Sequence, residues 1–191
     1  MSHLFRQAMQ KLSYPTMIVT SAVPKGTKSM DFHGLTISSM TSLSINPKPL
    51  IQFNIKIPSN TSKDIRNNGL FAIHFLDPTQ SNINLARHFS RGIKDTMTSP
   101  FSTLLKNKDY MCYFDENVTS KQNVILPILK ETGKILICNS KEVFKVQDHE
   151  IWIGEVLQIL SNTKEELIAD DNDHGGLLHC KSKFFKLGDL V

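Results

Sequence analysis

The segment LIQFNIKI, Leu50 to Ile57, sets Ile51, Phe53, Ile55 and Ile57 on one side of an extended chain and Gln52, Asn54 and Lys56 on the other. A period of two sustained over this length fits a strand with one face in a core and one face open to something polar. It does not fit a helix, where the same apolar residues would be spread around the axis. Strands need partners, and apolar stretches of suitable length lie at Thr16 to Ser21, Ala72 to Leu76, Lys134 to Asn139, Glu142 to Val146 and Ile151 to Leu160. A last short pair is expected near Leu177 to His179 and Phe184 to Leu187. The pattern predicts a mainly β architecture with a few short helices.

Two internal helices have readable starts. Asp77-Pro78-Thr79-Gln80 offers a capping carboxylate, a proline at the first helical position and a glutamine three residues after the cap, ahead of Ile83, Ala86 and Phe89. That helix should end near Phe89 to Gly92. After Pro58, Ser59-Asn60-Thr61 can cap a short helix running through Ile65 and stopping at Gly69. At the N-terminus Leu4, Phe5, Ala8, Met9 and Leu12 form a helical apolar face leading into TMIVTS. Residues 92 to about 133 carry weak periodicity and read as a long excursion with local structure.

With 191 residues, 40% hydrophobic and 21% charged, the chain can bury one substantial core, and a single domain spanning 1–191 is expected. Net charge is +4 and the basic residues are scattered apart from Arg87 to Lys94 and Lys181 to Lys186, too little for a nucleic-acid face. Cys112, Cys138 and Cys180 form no CxxC pair and lack histidines at zinc-ligand spacing, so no metal site is expected and a reducing compartment is. No apolar run reaches the roughly 18 to 20 residues of a membrane span. A cytoplasmic location is expected, with the mitochondrion as the alternative because Arg6, Lys11, Lys25 and Lys28 precede the first acidic residue, Asp31.

Six of the nine positions from Thr36 to Ser44 carry hydroxyls. Alone, such a run reads as a strand edge and turn whose Ser and Thr satisfy their own backbone. Its company is more informative: a strand with a polar face follows, then a Ser-Asn-Thr cluster at a helix start, where free N–H groups and the helix dipole favour an anion. A phosphate-bearing ligand can be held this way without a glycine-rich loop.

The stretches YPTMIVTS, HGLTISSMTSLSINPKPLIQFNIKIPSNT, FAIHFLDPTQSNINLARHFSRG and VQDHEIWIGEV, in this order, resemble the flavin reductase-like family with its FMN-binding split β-barrel, especially fungal-type members. The resemblance is good over residues 5–94 and 133–160 and weak between, leaving a poorly matched excursion at about 95–132. It implies a Greek-key-like barrel, a homodimer, bound FMN (FAD the alternative), and NADH or NADPH as hydride donor. Thr36, Ser38, Ser39 and Met40 would lie along the flavin ring and ribityl chain, and Phe53, Asn54 and Lys56 on the adjoining strand. Ser59 and Thr61 would contact the phosphate, with Ser90 and Arg91 closing that pocket from the other side. His149 would border the nicotinamide or the open face of the flavin, whereas His74, His88, His174 and His179 read as structural. Two departures stand out: Gln147 where the family has glycine, and LLHCKSKFF where it has LLY, then arginine or glycine and a tyrosine.

Hydride transfer to a flavin needs positioning more than acid–base chemistry, so no catalytic side chain is assigned. The implied activity is NAD(P)H-dependent flavin reduction, with reduced flavin or electrons passed to a partner monooxygenase or another acceptor. A flavin-binding protein without nicotinamide activity and a split-barrel interaction module without flavin are the alternatives.

Overall fold

In the computed structural model, residues 1–91, 99–114, 123–161 and 175–188 are described. In chain order the elements are α1 (Ser2–Met9), β1 (Tyr14–Pro15), β2 (Met17–Ser21), β3 (Val23–Pro24), β4 (Gly34–Ile37), β5 (Thr41–Ser44) and β6 (Leu50–Lys56). They continue with α2 (Asn60–Asn68), β7 (Leu70–Phe75), α3 (Gln80–Ser90), β8 (Tyr110–Tyr113), β9 (Val124–Leu129), β10 (Ile135–Val146), β11 (His149–Leu160), β12 (Leu178–Cys180) and β13 (Lys183–Phe185).

Seven strands form one antiparallel sheet in the order β4-β2-β7-β10-β11-β6-β5. Its two edges, β4 and β5, are joined by residues 38–40 alone. So short a link spans at most about 14 Å when extended, which forces the sheet to curl until its edges approach. No ladder joins them among the described residues, and the barrel is split at this seam. The Ser39 hydroxyl bridges it by accepting the Asn54 N–H at 2.9 Å.

The concave side holds Met17, Val19, Phe53, Ile55, Phe71, Ile73 and Trp152. β6 buries Ile51, Phe53 and Ile55 and leaves Asn54 and Lys56 exposed, as its alternation requires. β2 and β7 are buried on both faces, because a second layer covers them outside. That layer is the sheet β3-β9-β8 together with α3.

Part of the expected excursion is therefore ordered structure in this outer layer. β9, VILPIL, is almost wholly buried, and burial on both faces removes the alternation that would mark a strand. The two strands expected at Lys134 to Asn139 and Glu142 to Val146 are one strand, β10, and the polar break between them is a register shift between Ser140 and Glu142. The α3 cap is Thr79, which accepts the Asn82 N–H, and not Asp77. The Asp77 carboxylate instead packs beside Gly133, where a Cβ would meet Oδ1 at 2.7 Å. α1 is helical as expected, yet buries none of its residues. Among the described residues no helix is long and apolar enough to cross a membrane.

Candidate functional site

Three contacts place α2 and α3 on either side of β4. His33, just before β4, has Nδ1 2.6 Å from Asp64 Oδ2 of α2. Gly34 lies so close to Phe89 of α3 that a Cβ there would meet the ring at 2.9 Å and the Val19 carbonyl at 2.8 Å. The Thr36 hydroxyl donates to the Ala86 carbonyl of α3 at 2.7 Å. The hydroxyl run thus leaves β4 between two helices and turns at 38–40 onto the end of β6.

The start of α2 suits an anion. Ser59 caps the helix by accepting the Ser62 N–H at 3.2 Å, and the first turn contains no acidic residue. In this geometry the N–H groups of Asn60 and Thr61 have no partner within the helix, so they are free to donate outward. Gly69 ends the helix in the left-handed conformation, φ +74°, as the sequence suggested.

The far end of β6 brings in β11. Lys56 stands opposite His149 in the ladder, and Asn54 opposite Ile151. His149 Nδ1 lies 2.8 Å from Asp148 Oδ1, and Lys56 Nζ is 3.8 Å from Asp148 Oδ2. The hydrogen bond from His149, with the Lys56 charge, holds the Asp148 carboxyl below the usual carboxylate range. Gln147 takes φ +54°, a left-handed value that glycine adopts freely, so the two-residue turn is kept without the glycine.

Not every expected residue presents its side chain. Met40 and Phe53 are buried in the concave core, and only their main chain can meet a ligand. Thr61 is buried and Ser59 half-buried at the helix start. Ser38 is half-buried at the seam, while Asn54 and Lys56 are exposed. Ser90 donates to the Arg87 carbonyl at 2.9 Å, and Arg91, exposed, follows at the α3 C-terminus. Of the other histidines, His74 is fully buried between two main-chain groups, His88 donates to the Pro100 carbonyl at 2.6 Å, and His179 packs on Phe184. His174 lies outside the described residues.

A cluster absent from the sequence reading ties this site together. Glu150, next to His149 and almost buried, accepts from the Ser62 hydroxyl and from Arg66 Nη2 at 2.5 Å. Ser62 and Arg66 stand four residues apart and share one face of α2, the only local sign of the clamp.

A family model described as the flavin reductase like domain matches residues 9–188. Among solved structures, a flavin reductase domain protein from Arthrobacter superposes with a TM-score of 0.73 at 20% identity, covering 100% of this chain and 98% of that one. The flavin reductase HpaC complexed with NADP+ gives 0.71 at 22% identity, with 100% of both chains covered. The styrene monooxygenase flavin reductase of Pseudomonas putida gives 0.68 at 18%, covering 98% of this chain and 99% of that one. At such identities these likenesses speak for the fold, while the family match spans nearly the whole sequence. The chain belongs to the flavin reductase like domain family, whose members are flavin-binding NAD(P)H:flavin oxidoreductases.

Proposed function

We propose that the cleft between α2 and α3 holds the flavin of a fungal-type, cytoplasmic reductase, with Ser59, Thr61 and the free N–H groups of the first α2 turn on its phosphate. The observation that carries this is the α2 start: a serine cap, open N–H donors and no acid in the turn. Ser90 and Arg91 approach from the end of α3. Thr36, Ser38, Ser39, the main chain at Met40 and Phe53, and the polar side of β6 at Asn54 and Lys56 line the ring and ribityl chain. Bound FMN or FAD supplies the hydride-accepting chemistry. The protein's part is to hold the ring with one face open and to set His149 beside the incoming nicotinamide. One structural neighbour is a styrene monooxygenase flavin reductase, and another is the flavin reductase component of a bacterial two-component tryptophan halogenase. A partner oxygenase consuming reduced flavin is the corresponding reading here.

A homodimer fits the exposed apolar residues: Leu4 and Phe5 on α1, Phe144 and Val146 on β10, and Leu157 and Ile159 on β11. They favour covering by a second copy. Sedimentation showing a folded, flavin-loaded monomer at micromolar concentration would rule that out.

The phosphate assignment is tested by two variants. Ser59→Ala with Thr61→Ala should weaken FMN binding by about 1–3 kcal/mol, but it also removes the α2 cap. Ser59→Asp keeps a good cap and places a negative charge where the phosphate would sit, so it should abolish FMN binding while leaving the melting temperature near wild type. Undiminished FMN affinity in both variants refutes the assignment.

A further inference from the structure

The outer layer carries a cavity away from the residues assigned to the flavin. Phe32, Phe101 and Tyr110 pack edge to face, with ring centroids 5.7, 6.0 and 5.2 Å apart. Between this aromatic group, the loop from Lys25 to Ser29 and the segment Leu104 to Lys106 opens a cleft of about 460 Å³. That is within the size range of small-molecule sites. None of the residues assigned to the flavin lines it.

Its chemistry is two-sided. Phe32, Leu104, Leu105 and Ile125 supply apolar wall, while Lys25 and Lys106 supply two cations, and among the described residues none that lines the cleft is acidic. The nearest carboxylate on the same segment, Asp109, is turned onto the Leu105 N–H at 2.7 Å. Lys25 Nζ rests 5.0 Å from the centroid of Phe114, a cation over an aromatic face. Tyr110 lines the cleft and is 1% exposed.

A neutral apolar guest would leave the two lysines unanswered, and a bare inorganic anion would leave the apolar wall wet. We propose that this cleft binds an aromatic monocarboxylate, its ring against Phe32, Leu105 and Ile125 and its carboxylate met by Lys25, Lys106 and the Tyr110 hydroxyl. It stands whether or not the α2–α3 cleft holds flavin.

Benzoate is the probe, titrated calorimetrically into the full chain beside benzyl alcohol and acetate. Benzoate should bind saturably, with the neutral ring and the ringless anion each about tenfold weaker or more, a difference of about 1.4 kcal/mol. Lys25→Met and Lys106→Met, both at exposed positions, should weaken benzoate about tenfold together, and Tyr110→Phe should weaken it severalfold while keeping the buried ring. Ser59→Asp should leave benzoate unchanged. The proposal is overturned if benzoate fails to bind, if the lysine variants bind it as wild type does, or if benzyl alcohol binds equally well. It is also overturned if Ser59→Asp abolishes benzoate binding, which would assign the anion to the start of α2.

Discussion

Gly154, in the middle of β11, faces the concave core, and a Cβ built there would lie 2.5 Å from Phe71 Cζ and 3.2 Å from Cε1. Ordinary carbon contacts sit at about 3.5–4.0 Å, so Gly154→Ala must displace the Phe71 ring by about 1 Å. The ring has nowhere to go: Phe71 is fully buried and stands 5.3 Å, centroid to centroid, from Phe53, itself fully buried. Overpacking of this kind costs about 1–3 kcal/mol, and the lower chain entropy of alanine returns about 0.5–1 kcal/mol of that. A net loss of about 1–2 kcal/mol corresponds to a fall of about 2–8 °C in Tm for a chain of this size. Urea unfolding of the single and double variants is the assay. Phe71→Leu removes the two ring atoms in conflict, so in that background Gly154→Ala should be nearly neutral, a coupling of at least about 1 kcal/mol. A wild-type midpoint for Gly154→Ala, or additive losses in the double variant, would refute the steric reasoning.

Gln147→Gly should stabilise the protein by about 0.5–1 kcal/mol, because a left-handed residue with a Cβ is strained and glycine is not; an unchanged or lower urea midpoint would count against the strain at φ +54°. His74 should make the protein acid-sensitive. Its Nε2 accepts the Leu129 N–H and its Nδ1–H donates to the Ile18 carbonyl, both at 3.1 Å, so the neutral ring is fully satisfied, and burial pushes its pKa down to about 4. The unfolded chain therefore takes up a proton that the folded one refuses. Stability contributed by the neutral ring is complete above pH ~6.5 and is lost as pH falls toward 4, by up to about 3 kcal/mol. His74→Gln should flatten that slope in urea unfolding between pH 7 and 4, and an equal slope in both proteins would remove His74 as its source.

What the sequence disclosed, and what it hid, follows from how far apart the deciding residues lie. β6 was legible because one face is core and the other open, so its burial repeats the alternation of LIQFNIKI. β9 was not, because it is covered on both faces and carries Pro127, whose carbonyl takes the Thr20 hydroxyl at 2.7 Å. β4 and β5 hid inside a run of hydroxyls whose period is masked by the seam at 38–40. The α3 cap is ambiguous in the sequence because Asp77 and Thr79 both have capping chemistry; in the fold Thr79 caps the helix and the Asp77 carboxylate lies against Gly133, far along the chain.

The same reasoning explains the site. Ser59 could be picked out locally, since capping and anion binding both draw on the first turn of a helix. The Ser62–Glu150–Arg66 clamp could not, because Glu150 is 88 residues from Ser62 and 84 from Arg66. Yet that clamp gives the local signals a common frame. Glu150 follows His149 on β11 and grips α2 one turn beyond its cap, while Lys56, opposite His149, leads through Pro58 into that cap. The helix start and His149 are thus fixed to each other twice, once by the β6–β11 ladder and once by a nearly buried carboxylate. A ligand with phosphate at one place and ring at the other would meet a frame already set, and rigid spacing of that kind is what hydride transfer between stacked rings requires.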